Sequence, residues 1–200
     1  MGNLTLKRYK SAPVTIKHQT APLMLTFIWD PFLQLKQKLR MVWLSNKMNP
    51  PTLVLMGTAL HWMRKNYDIY LENPEKAANI YKKSLLHIAP FLKRLAKTAL
   101  VVFKLLDHLP EPYNVTNIDL YNAIAAEAMP KNVAIWDSII PLSDMYVSEC
   151  QKHPQDTPNS NFWRCSDFRH SGFIIIEKFV DMLLNYACNR HLSLDKEYCV

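Results

Sequence analysis

Thirteen prolines stand against three glycines in these 200 residues, and that imbalance limits what the backbone can do. Glycine supplies the positive-φ turns and the loops whose amides cradle phosphate. Here Gly2, Gly57 and Gly172 are isolated from one another. No glycine-rich loop exists, which excludes Walker-type NTPases, dinucleotide-binding Rossmann folds and protein kinases. The G-x-S-x-G elbow of serine hydrolases is missing as well.

The prolines, with asparagines, punctuate the chain into helical segments. Asp30-Pro31 reads as an N-cap followed by proline at the first helical position. Phe32, Leu35, Leu39, Val42 and Trp43 then recur at helical spacing until Asn49-Pro50-Pro51. A second, very apolar helix is predicted from about Leu53 to Leu71, with Gly57 inside it. Asn73-Pro74-Glu75 repeats the start signal, and the helix that begins there is expected to kink or break at Pro90. Phe91–His108 reads as a further helix with Leu92, Leu95, Ala99, Val102 and Leu106 on one stripe. Short helices are predicted over 118–128 and 132–151, and a last one over 172–190 with Ile176, Val180, Leu183 and Ala187 inward. The stretch 152–161 (KHPQDTPNSN) reads as an exposed loop. Strand-like alternation is scarce. The expected fold is all-α, an irregular bundle of roughly six to seven helices with a basic N-terminal half and an acidic C-terminal half.

That polarity is marked. Residues 1–104 carry 17 Lys and Arg against four acids, a net of +13; residues 105–200 carry 7 against 13, a net of −6. The sign changes at Leu109-Pro110-Glu111-Pro112, which gives a division into a basic arm (1–29), a basic helical region (30–109) and an acidic helical region (110–200), or one continuous domain. At 49% hydrophobic and 20% charged residues the chain is too apolar for disorder. No apolar run reaches the roughly 18 residues of a membrane span. The first 29 residues hold Lys7, Arg8, Lys10, Lys17 and His18 without an acid, a charge pattern suited to mitochondrial targeting or to a basic arm on an acidic neighbour.

Ala77-x3-Tyr81-Lys82-Lys83-Ser84-Leu85 resembles the second helix of a tetratricopeptide repeat, and residues 117–124 and 132–139 each resemble the opening of a pentatricopeptide-type helix. Neither recurs at its family's period, so neither family is assigned.

Reaction chemistry is not legible. Cys150, Cys165, Cys188 and Cys199, with His153, His170 and His191, form the one metal-like group, but no C-x2-C occurs and plain thiols are the expected state. A disulfide, for example Cys188 with Cys199, would require an oxidising compartment. Asn3-Leu4-Thr5 and Asn114-Val115-Thr116 match the glycosylation sequon; with no secretory signal evident, both read as chance matches. Asp107-His108 suggests a base and its orienter, but neighbours on a helix point apart. No enzyme, cofactor or metal is expected.

The remaining signal is cationic. Lys36, Lys38, Arg40 and Lys47, then Lys82, Lys83, Lys93, Arg94, Lys97 and Lys104, line helical faces interleaved with aromatics. The preference for Lys over Arg favours diffuse charge over base-specific forks. The sequence therefore points to a non-catalytic accessory subunit of a large mitochondrial assembly, at the periphery of an inner-membrane respiratory or ATP synthase complex. It would dock this basic face on other protein subunits, with anionic lipid as a further contact. A mitochondrial ribosomal or other RNA-binding protein is the alternative, and an enzyme with a dispersed site the third.

Overall fold

A computed structural model describes residues 14–17, 24–34, 51–109, 115–152, 162–167 and 170–192. It corrects the all-α expectation. Among the described residues there are six helices and two sheets. An antiparallel hairpin joins β1 (Val14–Lys17) to β2 (Met24–Phe27). A parallel sheet has the order β3 (Leu53–Met56), β4 (Leu100–Lys104), β5 (Ala134–Trp136). Three helices connect β3 to β4: α1 (Leu60–Lys65), α2 (Tyr67–Glu72) and α3 (Pro74–Leu95). α4 (Val115–Ala128) connects β4 to β5, and α5 (Ile139–Lys152) and α6 (Phe173–Leu192) come after β5.

The two long helices that the spacing predicts over 53–71 and 91–108 each contain a strand, β3 at the start of the first and β4 near the end of the second. Leu53-Val-Leu-Met56 and Leu100-Val-Val-Phe-Lys104 are short apolar runs without a period of two; β4 is covered on both faces, whereas Leu55 of β3 is exposed. Register shows how the sides divide. Val54 pairs with Val101, and Met56 with Phe103, which pairs with Ile135. This row belongs to the main core, together with Tyr81, Leu85, Ile88, Leu92 and Leu95 of α3 and Ile118, Tyr121 and Ala125 of α4. Lys104 pairs with Trp136 on the opposite side, where Phe179 of α6 lies 6.2 Å from the Trp136 ring. A second core of Ile139, Tyr146, Cys150, Ile175 and Phe179 forms there. The architecture is α/β, with α3 and α4 on one face of a parallel sheet and α6 on the other.

Gly57 ends β3 instead of sitting inside a helix. A Cβ there would lie 2.9 Å from the Lys104 carbonyl oxygen, so the close approach of the two strand ends requires glycine.

The helix starting at Asn73 is as expected: its side chain accepts from Lys76 N at 2.9 Å, with Pro74 in the first turn. The helix nevertheless runs unbroken through Pro90 to Leu95. Pro90 is exposed, so the backbone acceptor it forfeits can turn to water. Asp30 caps a single turn, accepting from Gln34 N at 2.8 Å; most of the helix predicted after it lies outside the described residues. In α6 the inward residues are Ile175 and Phe179, while Val180 is exposed, one step away from the expected stripe. The main core draws on both sides of Pro110.

Candidate functional site

Because β3, β4 and β5 are parallel, their carboxyl ends share one edge, and open parallel sheets hold ligands outside that edge. At this edge β4 runs into an unusually polar strip. Leu105 N donates to Trp136 O at 3.1 Å. The Asn122 amide of α4 grips Leu106 twice, Oδ1 accepting from its N and Nδ2 donating to its O, both at 2.8 Å.

Asp107 is buried. Its Oδ1 receives the Lys104 ammonium and its Oδ2 the Ser171 hydroxyl. Burial alone would push this carboxyl up, but the charge and hydrogen bond of Lys104, helped by the Ser171 hydrogen bond, outweigh it and hold Asp107 below the ordinary carboxylate range. Lys104 Nζ also lies 5.2 Å from the centre of the Phe179 ring.

His108 is buried too, and both ring nitrogens meet carboxylates: Nδ1 meets Asp144 of α5, and Nε2 meets Asp119 of α4 at 3.0 Å. Its backbone N donates to Ser143 Oγ at 3.0 Å. Burial alone would lower its pKa, but the hydrogen bonds and charges of Asp144 and Asp119 outweigh that and raise it above the ordinary 6.5. When protonated, the ring donates to both carboxylates and clasps α4 to α5. A raised folded-state value means that this stabilisation is complete below about pH 6.5 and is lost as pH rises through the folded-state value. Denaturant midpoints measured from pH 5.5 to 8.5 should therefore fall for the native chain. His108→Gln should be less stable at the acid end and have a flatter profile. An equally steep decline in the variant would remove His108 as the origin.

Onto this strip fold residues 162–167 and 170–172, which carry the most chemically suggestive pair. Asp167 Oδ2 lies 2.9 Å from His170 Nδ1, and Asp167 Oδ1 accepts from His170 N at 3.2 Å. The His170 side chain is 63% exposed. The segment is fastened at both ends. Cys165 is disulfide-bonded to Cys150 of α5, with Cα atoms 5.2 Å apart. The Tyr146 hydroxyl donates to Trp163 O and accepts from Gly172 N at 3.1 Å. Ile174 N donates to Phe162 O at 3.1 Å, and Ser171 binds Asp107 beyond β4. A carboxylate fixing Nδ1–H leaves the lone pair of the neutral ring on Nε2, directed away from that carboxylate. This is the arrangement of an oriented general base.

The cationic residues separate. Lys36, Lys38, Arg40 and Lys47 lie outside the described residues. Lys83, Lys93 and Arg94 are exposed on α3, with Lys97 exposed just beyond it; Lys82 is half-buried and ion-paired with Glu127 at 2.8 Å. Lys104 leaves this group, because it stands on a strand and turns to Asp107. The cysteines also differ from expectation. Cys150 pairs with Cys165, and Cys188 is free and exposed. The disulfide takes two of the four thiols of the metal-like group, and among the described residues no group of three or more His, Cys, Asp or Glu could hold a metal ion. Asp107 and His108 are not partners; each has its own network. Sequence reasoning placed His170 in the metal-like group and passed over Asp167. The available signal was the i, i+3 spacing of acid and imidazole between Cys165 and the last helix, a pattern of low specificity.

Set against known protein families, curated proteins and solved structures, the chain matches none.

Proposed function

We propose that this chain is an α/β enzyme of the hydrolytic or group-transfer kind, with His170 as general base and Asp167 as its orienting carboxylate. The observation that supports the reading is the exposed, carboxylate-held imidazole on a segment fastened to the carboxyl edge of a parallel sheet. In the neutral ring Nδ1–H donates to Asp167, and Nε2 takes the proton of a water or hydroxyl as that oxygen adds to an acyl carbon. The same proton then passes to the departing alkoxide, so the base is restored.

The direct test needs no natural substrate. In ring-nitrogen NMR of the native chain, neutral His170 should be the Nδ1–H tautomer, the form a free histidine side chain disfavours, and Asp167→Asn should weaken that preference. With p-nitrophenyl esters of varied acyl length, His170→Gln should lower the rate by about 100- to 10,000-fold. Equal rates in native and variant chains would sink the base assignment.

A second reading has its own support. Lys83, Lys93, Arg94 and Lys97 give α3 and its end a cationic outer line, as a docking accessory subunit of a larger assembly would need. Other subunits, anionic lipid or RNA could meet it; binding to phosphate would weaken steeply with salt. Reversing Lys93 and Lys97 to Glu should leave helicity intact and reduce incorporation into a large, nuclease-resistant particle. Unchanged incorporation would exclude docking through this line. The Cys150–Cys165 bond supports a compartment that maintains disulfides, such as the mitochondrial intermembrane space or the secretory lumen.

A further inference from the structure

We infer that Asp107 is the positioning residue of this site: anchored by Lys104 at the end of β4, it holds the segment that carries His170 by accepting a hydrogen bond from Ser171. The inference rests on the assignment of His170 as the base.

The geometry leaves Asp107 one task. Both its oxygens are engaged, Oδ1 by Lys104 and Oδ2 by Ser171, and the carboxylate is buried, so it is not placed to meet a substrate directly. Asp107 is 9% and Ser171 5% exposed, so water does not compete for the bond between them, and a charged acceptor makes it one of the stronger kind. Ser171 is joined to His170 by one planar peptide unit, so the bond to Asp107 limits where the His170 backbone can lie.

The anchor is also stiff. The strip 104–108 is fixed by Trp136 on the neighbouring strand, by Asn122 of α4, and by Asp119, Asp144 and Ser143 around His108. Asp107 is its one side-chain tie to residues 162–167 and 170–172 among the described residues' hydrogen bonds. The other fastenings act at different points. The disulfide and Tyr146 hold residues 163–165, and Tyr146 also holds Gly172. Without the Ser171 bond, His170 would keep its local Asp167 contact but lose its registry with the edge of the sheet. A misplacement of about 1 Å can cost roughly 100-fold in rate.

Ser171→Ala in the full chain is the test, because it cuts the tie and leaves the Lys104–Asp107 ion pair intact. Two readouts are taken together: the His170 ring tautomer by nitrogen NMR, and the kcat and KM for p-nitrophenyl acetate. The expected result is a kcat lower by about 10- to 100-fold, KM within about twofold, a thermal midpoint lower by about 3–10 °C from the lost buried bond, and a broadened or shifted His170 ring signal. Asp107→Asn should do the same with an added loss of stability, since it leaves the ammonium of Lys104 without its counter-charge. A Ser171→Ala chain with native kcat and a native His170 signal overturns the positioning role and leaves the base assignment standing. A native chain whose neutral His170 is not the Nδ1–H tautomer overturns the base assignment, and the positioning role with it.

Discussion

Tyr81→Ala should cost about 3–5 kcal/mol, a large share of the stability of a single domain. Tyr81 is fully buried in α3 and belongs to the main core. Its ring lies 4.9 Å from that of Tyr121 on α4 and 6.1 Å from that of Trp62 on α1, so one side chain joins three helices. Its hydroxyl donates to Thr58 O at 2.7 Å, just beyond the end of β3. Thr58 in turn donates to Pro31 O at 2.6 Å. Burial pushes the Tyr81 phenol far above its ordinary value, and the neighbouring Tyr121 adds to this, so it remains a donor throughout the accessible pH range. The loss should divide unequally. Tyr81→Phe keeps the ring and should cost about 1 kcal/mol plus the penalty of the stranded carbonyl. Urea midpoints at constant m-value would give both numbers. If the Ala and Phe variants were equally destabilised, the hydroxyl and not the ring packing would be the dominant contribution.

Gly172→Ala should have the largest effect on the candidate site. A Cβ at this position would meet Trp163 O at 2.1 Å and Phe162 O at 2.4 Å, and both are backbone atoms that cannot swing aside. Phe162 and Trp163 must therefore separate from Gly172 and from the first turn of α6 that follows it. That movement breaks the bond from Ile174 N to Phe162 O and disturbs both contacts of the Tyr146 hydroxyl. Overpacking of this kind costs about 1–3 kcal/mol. The more telling consequence is at His170, which lies two residues away: esterase activity and the Nδ1–H tautomer should be lost together. A variant with native stability and a native imidazole signal would show that the close backbone packing is absent in solution.

How much of this was legible depends on local chemistry. The start of α3 is written out in Asn73-Pro74-Glu75, where cap, fixed φ and dipole agree. The interior of α3 has the clear amphipathic spacing of Tyr81, Leu85, Ile88 and Leu92. The parallel strands are hidden for the opposite reason. β4 has to be apolar toward α3 and α4 and also toward α6, so Val101 and Val102 are both buried, and the alternation that identifies a strand disappears. Five such residues beside a true helix read as its continuation. Pro90 misled in the other direction, because on an exposed helix face the lost hydrogen bond can be made good by solvent. The site was fainter still. Asp107 and His108 drew notice as neighbours, yet their partners stand 64 and 36 residues further along, at Ser171 and Asp144. Spacing in one dimension cannot show contacts of that range. The cationic line on α3 was legible because it needs only helical periodicity, and Lys104 left it when its helix proved to be a strand.

The Cys150–Cys165 bond closes a covalent ring around residues 151–164, including the polar stretch 152–161. A protease that cuts inside this ring does not divide the protein. α5 and the segment bearing His170 remain one molecule until a thiol opens the bond. A nicked chain would keep its full mass on a non-reducing gel and separate into two bands only after reduction.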